Sequence, residues 1–208
     1  MDMTSIMQIV ISVPAVITAI FAYKGLKVWK HQLIVTKTFE TVCGLAEATY
    51  NLRQQFKDVR VNYFEDVEWA DNKNNYVWFA TEFKERWKPF SEALKSFQLH
   101  AFKAEVFWGE SIRNKTDKVQ KCAEELRQSI RFYLKNEKAG GEDFKKTPEY
   151  GKKIRTTVFE IRVSESEFDI KLNEAFDELE CQLRRFDKKI FGTKYLAEQA
   201  KKTKFAAD

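Results

Sequence analysis

Two histidines, three cysteines and a scatter of carboxylates are the side chains with which this chain could do chemistry. His31 and His100 lie far apart, and neither has a Glu three residues before it. The Glu-x-x-His pair of a carboxylate-bridged dimetal bundle is therefore absent. There is no His-Glu-x-x-His and no Cys-x-x-Cys, so zinc has no recognisable ligand set. The phosphate-cradling patterns GxxxxGK[ST] and GxGxxG are missing, as is the GxSxG nucleophile elbow. Cys43, Cys122 and Cys181 are solitary, without an evident histidine partner, and thiol catalysis is not expected. Neighbouring carboxylates such as Glu124 and Glu125 read as solvated helix surface. The expectation is a chain with no catalytic residue, no metal, no cofactor and no small-molecule substrate.

The elements that would have to carry any site are long helices. The chain has 208 residues, 44% hydrophobic, 32% charged and 14% aromatic, with 18 Phe and 5 Trp but only 7 Gly and 3 Pro. That composition supplies a packed core and argues against disorder. It leaves too little turn material for a sandwich, a barrel or a glycine-cradled nucleotide fold. The net charge of +5 is modest and well mixed, so no nucleic-acid partner is expected.

From Met3 to Tyr23 runs a stretch of 21 residues without an ionisable side chain. As a helix it would span about 31 Å, close to the hydrocarbon thickness of a bilayer. Tyr23, Lys24, Lys27, Trp29 and Lys30 follow as an aromatic and basic belt of the kind that sits at membrane interfaces. A cleaved signal peptide would want a basic leading region and an A-x-A site, and neither is present. Residues 3–23 are thus expected to be a transmembrane helix and 24–32 a juxtamembrane segment. The lysines after the span, Lys37 among them, orient it with the N-terminus out and the rest in the cytoplasm. Three widely spaced cysteines fit reduced thiols there better than a disulfide framework. Gln8, Ser12, Ala15, Ala19 and Ala22 follow steps of four, three, four and three. They line one stripe of small and polar residues suited to close packing with another membrane helix. Pro14 should kink the span mildly.

Beyond the anchor, residues 33–191 read as an elongated antiparallel four-helix bundle or coiled coil, about 40 Å long. The first stripe is Val35, Thr38, Val42, Leu45, Thr49, Leu52, Phe56, Val59 and Tyr63. The second is Phe83, Trp87, Phe90, Leu94, Phe97, Ala101, Ala104 and Trp108, with Pro89 predicting a kink or break near Lys88. The third is Ile112, Val119, Cys122, Leu126, Ile130 and Tyr133. The fourth is Phe168, Leu172, Ala175, Leu179, Leu183, Phe186 and Ile190, with Ser164 as N-cap, Glu167 closing a capping box, and Gly192 as the stop. The aromatic stripe of the second helix could be read as a cofactor box, but its spacing is that of a core. Gly109 permits only a tight turn, and Asn136–Gly151 reads as a flexible linker. Between 154 and 163, alternating β-branched residues predict one short β segment, with Val59–Val67 or a second chain as partner.

The loops and the tail supply the candidate contacts. Glu65, Asp66, Glu68, Trp69 and Asp71 form an acidic loop with one Trp, suited to a protein partner. Arg184 to Lys204 holds eight basic residues against two acidic ones. Counting helices puts the end of this stretch, and the tail 192–208, near the membrane. Lys188, Lys189, Lys194, Lys201, Lys202 and Lys204 are therefore expected to meet anionic lipid, at about 1 kcal/mol per charge.

Several short segments occur in a suggestive order: Trp29-Lys30-His31-Gln32-Leu33, Ala48-Thr49-Tyr50-Asn51-Leu52-Arg53, Arg86-Trp87, Ala104-Glu105-Val106-Phe107-Trp108-Gly109 and Cys122. The set resembles a group of bacterial single-pass membrane proteins with an N-terminal anchor and a cytosolic helical region, a group with no assigned function. The likeness covers roughly Lys24 to Leu134, and more weakly Ser164 to Phe186. It implies a bacterial inner-membrane location and supplies no ligand or catalytic residues. The function expected is that of a membrane-anchored interaction or scaffold protein without catalytic activity, with membrane lipid and a protein partner or a second copy as partners. The alternatives are a membrane effector of stress or phage-defence type that self-assembles through its transmembrane helix, and an enzyme with an unrecognised site in the bundle.

Overall fold

The computed structural model describes residues 3–62, 75–160 and 166–191, with the side chains of the first helix described at Thr18 and from Ile20 onward. The described residues form α1 (Met3–Val59), β1 (Val61–Asn62), α2 (Asn75–Trp108), α3 (Glu110–Lys138), α4 (Glu142–Lys146), α5 (Pro148–Val158), β2 (Phe159–Glu160) and α6 (Glu167–Phe191). The chain divides into two units, Met1–Glu40 and Thr41–Asp208.

The first unit is helix alone. Ile20, Phe21, Tyr23, Leu26, Val28, Trp29, Leu33 and Ile34 are all exposed on it. Lys37 pairs with Glu40 at 2.7 Å, and the Thr38 hydroxyl donates to the Ile34 carbonyl. Among the described residues no helix is long and apolar enough to cross a membrane. Most side chains of the run Met3–Tyr23 lie outside that description.

Among its described residues the second unit is all-α apart from a two-residue parallel pairing of β1 with β2. Much of its core comes from the stripes that the spacing predicts, although Trp87, Leu94 and Trp108 are only half-buried and Phe79, Phe144, Phe159 and Phe176 join from outside them. Val42, Leu45, Thr49, Leu52, Phe56 and Val59 are buried along α1, and Phe83, Phe90, Phe97, Ala101 and Ala104 along α2. Ile112, Val119, Cys122, Leu126, Ile130 and Tyr133 are buried along α3, and Phe168, Leu172, Ala175, Leu179, Leu183 and Phe186 along α6. Each large side chain so buried contributes about 1.5–3 kcal/mol of transfer free energy. Phe56 sits edge-on to both Phe90, at 4.9 Å between centroids, and Phe176, at 5.7 Å. One α1 ring thereby joins α2 and α6. At one end, Trp108 and Phe186 stack at 4.5 Å. At the other, Phe79, Tyr133 and Phe159 meet within 6 Å of one another. These end contacts place the four long helices in up-down-up-down order.

Gly109 is the only residue between α2 and α3. Its φ of +56° lies in the left-handed region, which lets the chain reverse in one step. Gly140 and Gly141, both near φ +80°, end α3, and the buried Asn136 side chain accepts the Phe144 amide at 3.1 Å to seat α4.

Four expectations are corrected in whole or in part. Helix α2 runs through Pro89, so of the kink or break expected near Lys88 the break is excluded. Proline there is exposed, and the Ser91 hydroxyl donates to the Lys88 carbonyl beside it. The stretch from Ile154 is helical as far as Val158, and of its described residues Phe159–Glu160 are strand, while 161–163 lie outside the described residues. Gly151, Ile154, Thr157 and Val158 are buried at helical spacing, so packing on one face overrides β-branched propensity. The partner strand does fall within Val59–Val67, at Val61–Asn62. Finally, the N-cap of α6 is Ser166 and not Ser164. Its carbonyl accepts the Ile170 amide, its hydroxyl accepts the Asp169 amide at 3.1 Å, and Asp169 returns a bond to the Ser166 amide. Asp169, three residues on, takes the role expected of Glu167. The predicted linker Asn136–Gly151 is also largely structured, as α4 and the start of α5.

Candidate functional site

The belt predicted at the membrane interface is present as an exposed surface. Tyr23, Lys24, Lys27, Trp29 and Lys30 occupy two turns of α1, all exposed, with Tyr23 70% and Trp29 60% accessible. Spacings of four and three bring Tyr23, Lys27 and Lys30 onto one face, while Leu26, Trp29 and Leu33 share another. Ala22 is exposed as well. Gln8, Ser12, Ala15 and Ala19 lie on α1 with side chains outside the described residues. The same holds for Lys188 and Lys189 on α6, and Lys194, Lys201, Lys202 and Lys204 lie wholly outside. The acidic loop residues Glu65, Asp66, Glu68, Trp69 and Asp71 fall outside the described residues too.

In the second unit, a centre that the spacing gave no sign of closes the end of the bundle where Phe79, Tyr133 and Phe159 meet. Arg60 follows α1 directly and is 5% exposed. Its guanidinium donates to the carbonyls of Phe159 at 2.8 Å and Thr156 at 2.9 Å, forms an ion pair with Asp169, and lies over the Phe168 ring at 5.3 Å. Burial alone would push the Asp169 carboxyl up. The bonds from Arg60 and Ser166 outweigh it and hold that group below its ordinary value. Three segments distant in sequence are thus fastened by one cation, which is a structural role. The only sequence hint is an arginine set between valines.

Other polar clusters are surface pairs. Arg53 bridges α1 to Glu180 at 2.7 Å and Asp177 at 3.2 Å on α6. Glu178 receives Lys115 and Lys118 from α3, and these bonds bring its carboxyl down to about 2. The described residues line open grooves, two of which stand out. One of about 570 Å³ lies between α2 and α3, with Trp87 and Leu94 beside Lys95, Lys121 and Arg127. A second of about 350 Å³ is lined by Lys152, Lys153 and Lys171 against Glu125, Glu149 and Glu167. Both mix charges of either sign, and Lys171 is already engaged by Glu125, which raises its ammonium.

Among the described residues, no three His, Cys, Asp or Glu side chains gather in a way that could hold a metal ion. Burial pushes the Cys122 thiol up, which disfavours the reactive thiolate, while Cys43 and Cys181 are exposed and unpaired. The His100 ring packs against Gly44, where an added Cβ would stand 2.6 Å from it, and its Nδ1 has no hydrogen-bond partner. No family model matches the chain, and no curated protein or solved structure shows significant similarity to it.

Proposed function

We propose that this chain is a membrane-anchored helical scaffold, with residues 3–23 in the bilayer and the bundle on the cytoplasmic side of a bacterial inner membrane. The observation that carries the reading is the surface of the first unit. Ile20, Phe21, Leu26, Val28 and Trp29 are exposed there next to Lys24, Lys27 and Lys30, directly continuing the run that lacks ionisable residues. Apolar side chains at this density, left open to water, call for an apolar neighbour. A lipid interface accepts both the rings and the ammonium groups. The second unit supplies a packed body cross-braced by ion pairs of Arg53, Arg60, Lys115, Lys118 and Lys171 with carboxylates on α3 and α6, which suits the presentation of surfaces. Its outer faces, the groove beside Trp87 and the loop around Trp69 are the contacts offered to a cytosolic protein. The basic tail adds contact with anionic lipid.

Alkaline carbonate extraction of membranes from expressing cells tests the anchor. The chain is expected in the pellet, and its release into the supernatant would refute the reading. Protease added to spheroplasts should leave Gly140 and its neighbours uncut; cleavage there from outside would reverse the orientation. A second reading, a self-assembling membrane effector, is favoured by the stripe Gln8, Ser12, Ala15, Ala19 and Ala22. Replacing Ser12 and Ala19 by Leu should then abolish assembly in detergent, read as native mass.

A further inference from the structure

We infer that a second copy of this chain lays the outer face of its α6 along the groove between α2 and α3, so that copies join head to tail. The groove beside Trp87 is among the faces that the scaffold reading offers to a partner. The alignment of the copies rests on that reading, and the contact itself rests on charge. Every part of it lies within the second unit.

The groove is apolar within and basic at its rim. Trp87 and Leu94 line it half-buried, and Ala123 lines it buried. On α2, Lys84, Lys88, Ser91 and Lys95 follow steps of four, three and four, which sets the three lysines on one stripe. Ser91 and Lys95 of that stripe line the groove, and Lys121 and Arg127 stand on the α3 side. Lys84, Lys88, Lys95 and Lys121 are exposed, and among the described residues no carboxylate pairs with them. Of the two acids in the groove, Glu124 is engaged by Arg127 at 3.7 Å, and Asp117 lies towards the Gln98 end.

The outer face of α6 carries the opposite charge. Glu167, Ile170, Glu174, Asp177 and Cys181 follow steps of three, four, three and four, and all five are exposed. This stripe holds three carboxylates and no base. Glu174 has no partner among the described residues, while Lys153 and Arg53 hold Glu167 and Asp177 at 3.7 and 3.2 Å. Ile170, 46% exposed, is the one large apolar side chain among them.

The two stripes share a spacing. Glu167 and Glu174 stand about 10.5 Å apart along their helix, and Lys88 and Lys95 stand equally far apart along theirs. Setting one pair against the other brings Ile170 level with Ser91, over Trp87 and Leu94. Cys181 then comes level with Phe102, which is 67% exposed. This register lays α6 of one copy parallel to α2 of the next. Within one copy α2 and α6 already run the same way, so the two copies stand the same way up, as one bilayer requires. Complementary charge selects the partner, and confinement to a membrane raises its effective concentration. Groove and acidic face are different surfaces of one copy. Each contact therefore leaves a free groove at one end and a free α6 at the other, and the assembly grows as a chain or closes as a ring.

Disulfide trapping with charge reversal tests this. The full chain carrying Cys43→Ser and Phe102→Cys is oxidised in membranes, where the new thiol should bond to the native Cys181 of the next copy. A ladder of dimer, trimer and higher bands is expected. Ser96→Cys in place of Phe102→Cys, on the other side of α2, should give none. On the trapping background, Lys95→Glu with Lys121→Glu should remove the ladder, and so should Glu167→Lys with Glu174→Lys. Co-expressing those two variants should restore it, because each altered groove then meets an altered α6. Recovery of that kind is beyond a chain that has merely failed to fold. No ladder, a ladder unmoved by charge reversal, no recovery on co-expression, or adducts to a different protein alone would each overturn the docking. Carbonate extraction of the same membranes separates this from the anchor. Pelleted protein without the ladder defeats the docking alone, and extracted protein with the ladder defeats the anchor alone.

Discussion

Helix α1 uses similar residues in opposite ways along its length. From Ile20 to Ile34 its Ile, Phe, Leu, Val and Trp side chains are open, while from Val42 to Val59 its Val, Leu and Phe side chains are closed over by α2 and α6. Both stretches are helical, so backbone preference does not separate them. Neighbours do. An amphipathic helix gains its stability from what covers its apolar face. The later stretch finds that cover in its own chain, and the earlier one is exposed; lipid is the cover that the proposed anchor would give it. The contrast divides the molecule into a part whose sequence answers to its own fold and a part whose sequence answers to its surroundings.

Substitutions can break this contrast. Phe56→Ala removes a ring shared by three helices and should cost about 3–5 kcal/mol, read as a lower urea midpoint for the bundle. Membrane association should survive it. Arg60→Met leaves the Asp169 carboxylate without its cation and two carbonyls without a donor, at about 3 kcal/mol by the same measurement. Gly44→Ala drives a methyl into the His100 ring and should cost about 1–3 kcal/mol. Adding His100→Ala should recover most of that loss. Acid should weaken the bundle more gently. The Asp169 carboxyl lies below its unfolded value, so its contribution is complete above about pH 4 and falls away as the pH drops through the folded value. Asp169→Asn should flatten that part of the acid-unfolding curve. At the other end of the scale, Leu26→Ser with Trp29→Ser should leave the bundle's unfolding midpoint where it was while loosening the membrane-bound fraction. An equal shift in both would erase the division.

The parts of the fold that could be read from sequence are those set by a single helix face. The stripes through Phe56, Phe97, Leu126 and Leu179 needed only the alternation of three and four, and all four residues are fully or almost fully buried. What escaped depends on segments far apart in the chain. Phe79 and the first turns of α2 are fixed by Tyr133 and Phe159, neither of which is near them in sequence. In α5, the packing of Ile154 and Val158 decided between helix and strand, and a local pattern of Thr, Ile and Val carries both meanings. The N-cap was misplaced by two residues because Ser164 and Ser166 each have an acid three positions on, and only the bond between Ser166 and Asp169 distinguishes them. Of the candidate site, the sequence offered the belt from Tyr23 to Lys30 by its mix of rings and lysines, and what is seen there is exposure alone. It did not offer Arg60, because its partners come from α5, β2 and α6.

Arg60 also bears on the timing of assembly. It bonds to a carbonyl 99 residues further along the chain and to a carboxylate beyond that. At ordinary rates of synthesis, on the order of ten seconds separate the emergence of the cation from that of its partners. Through that interval Arg60 keeps its hydration, and the first hairpin stays unsealed at that end. A ribosome stalled before Asp169 would leave a nascent chain with its lock made and its key missing, a natural target for quality-control proteases.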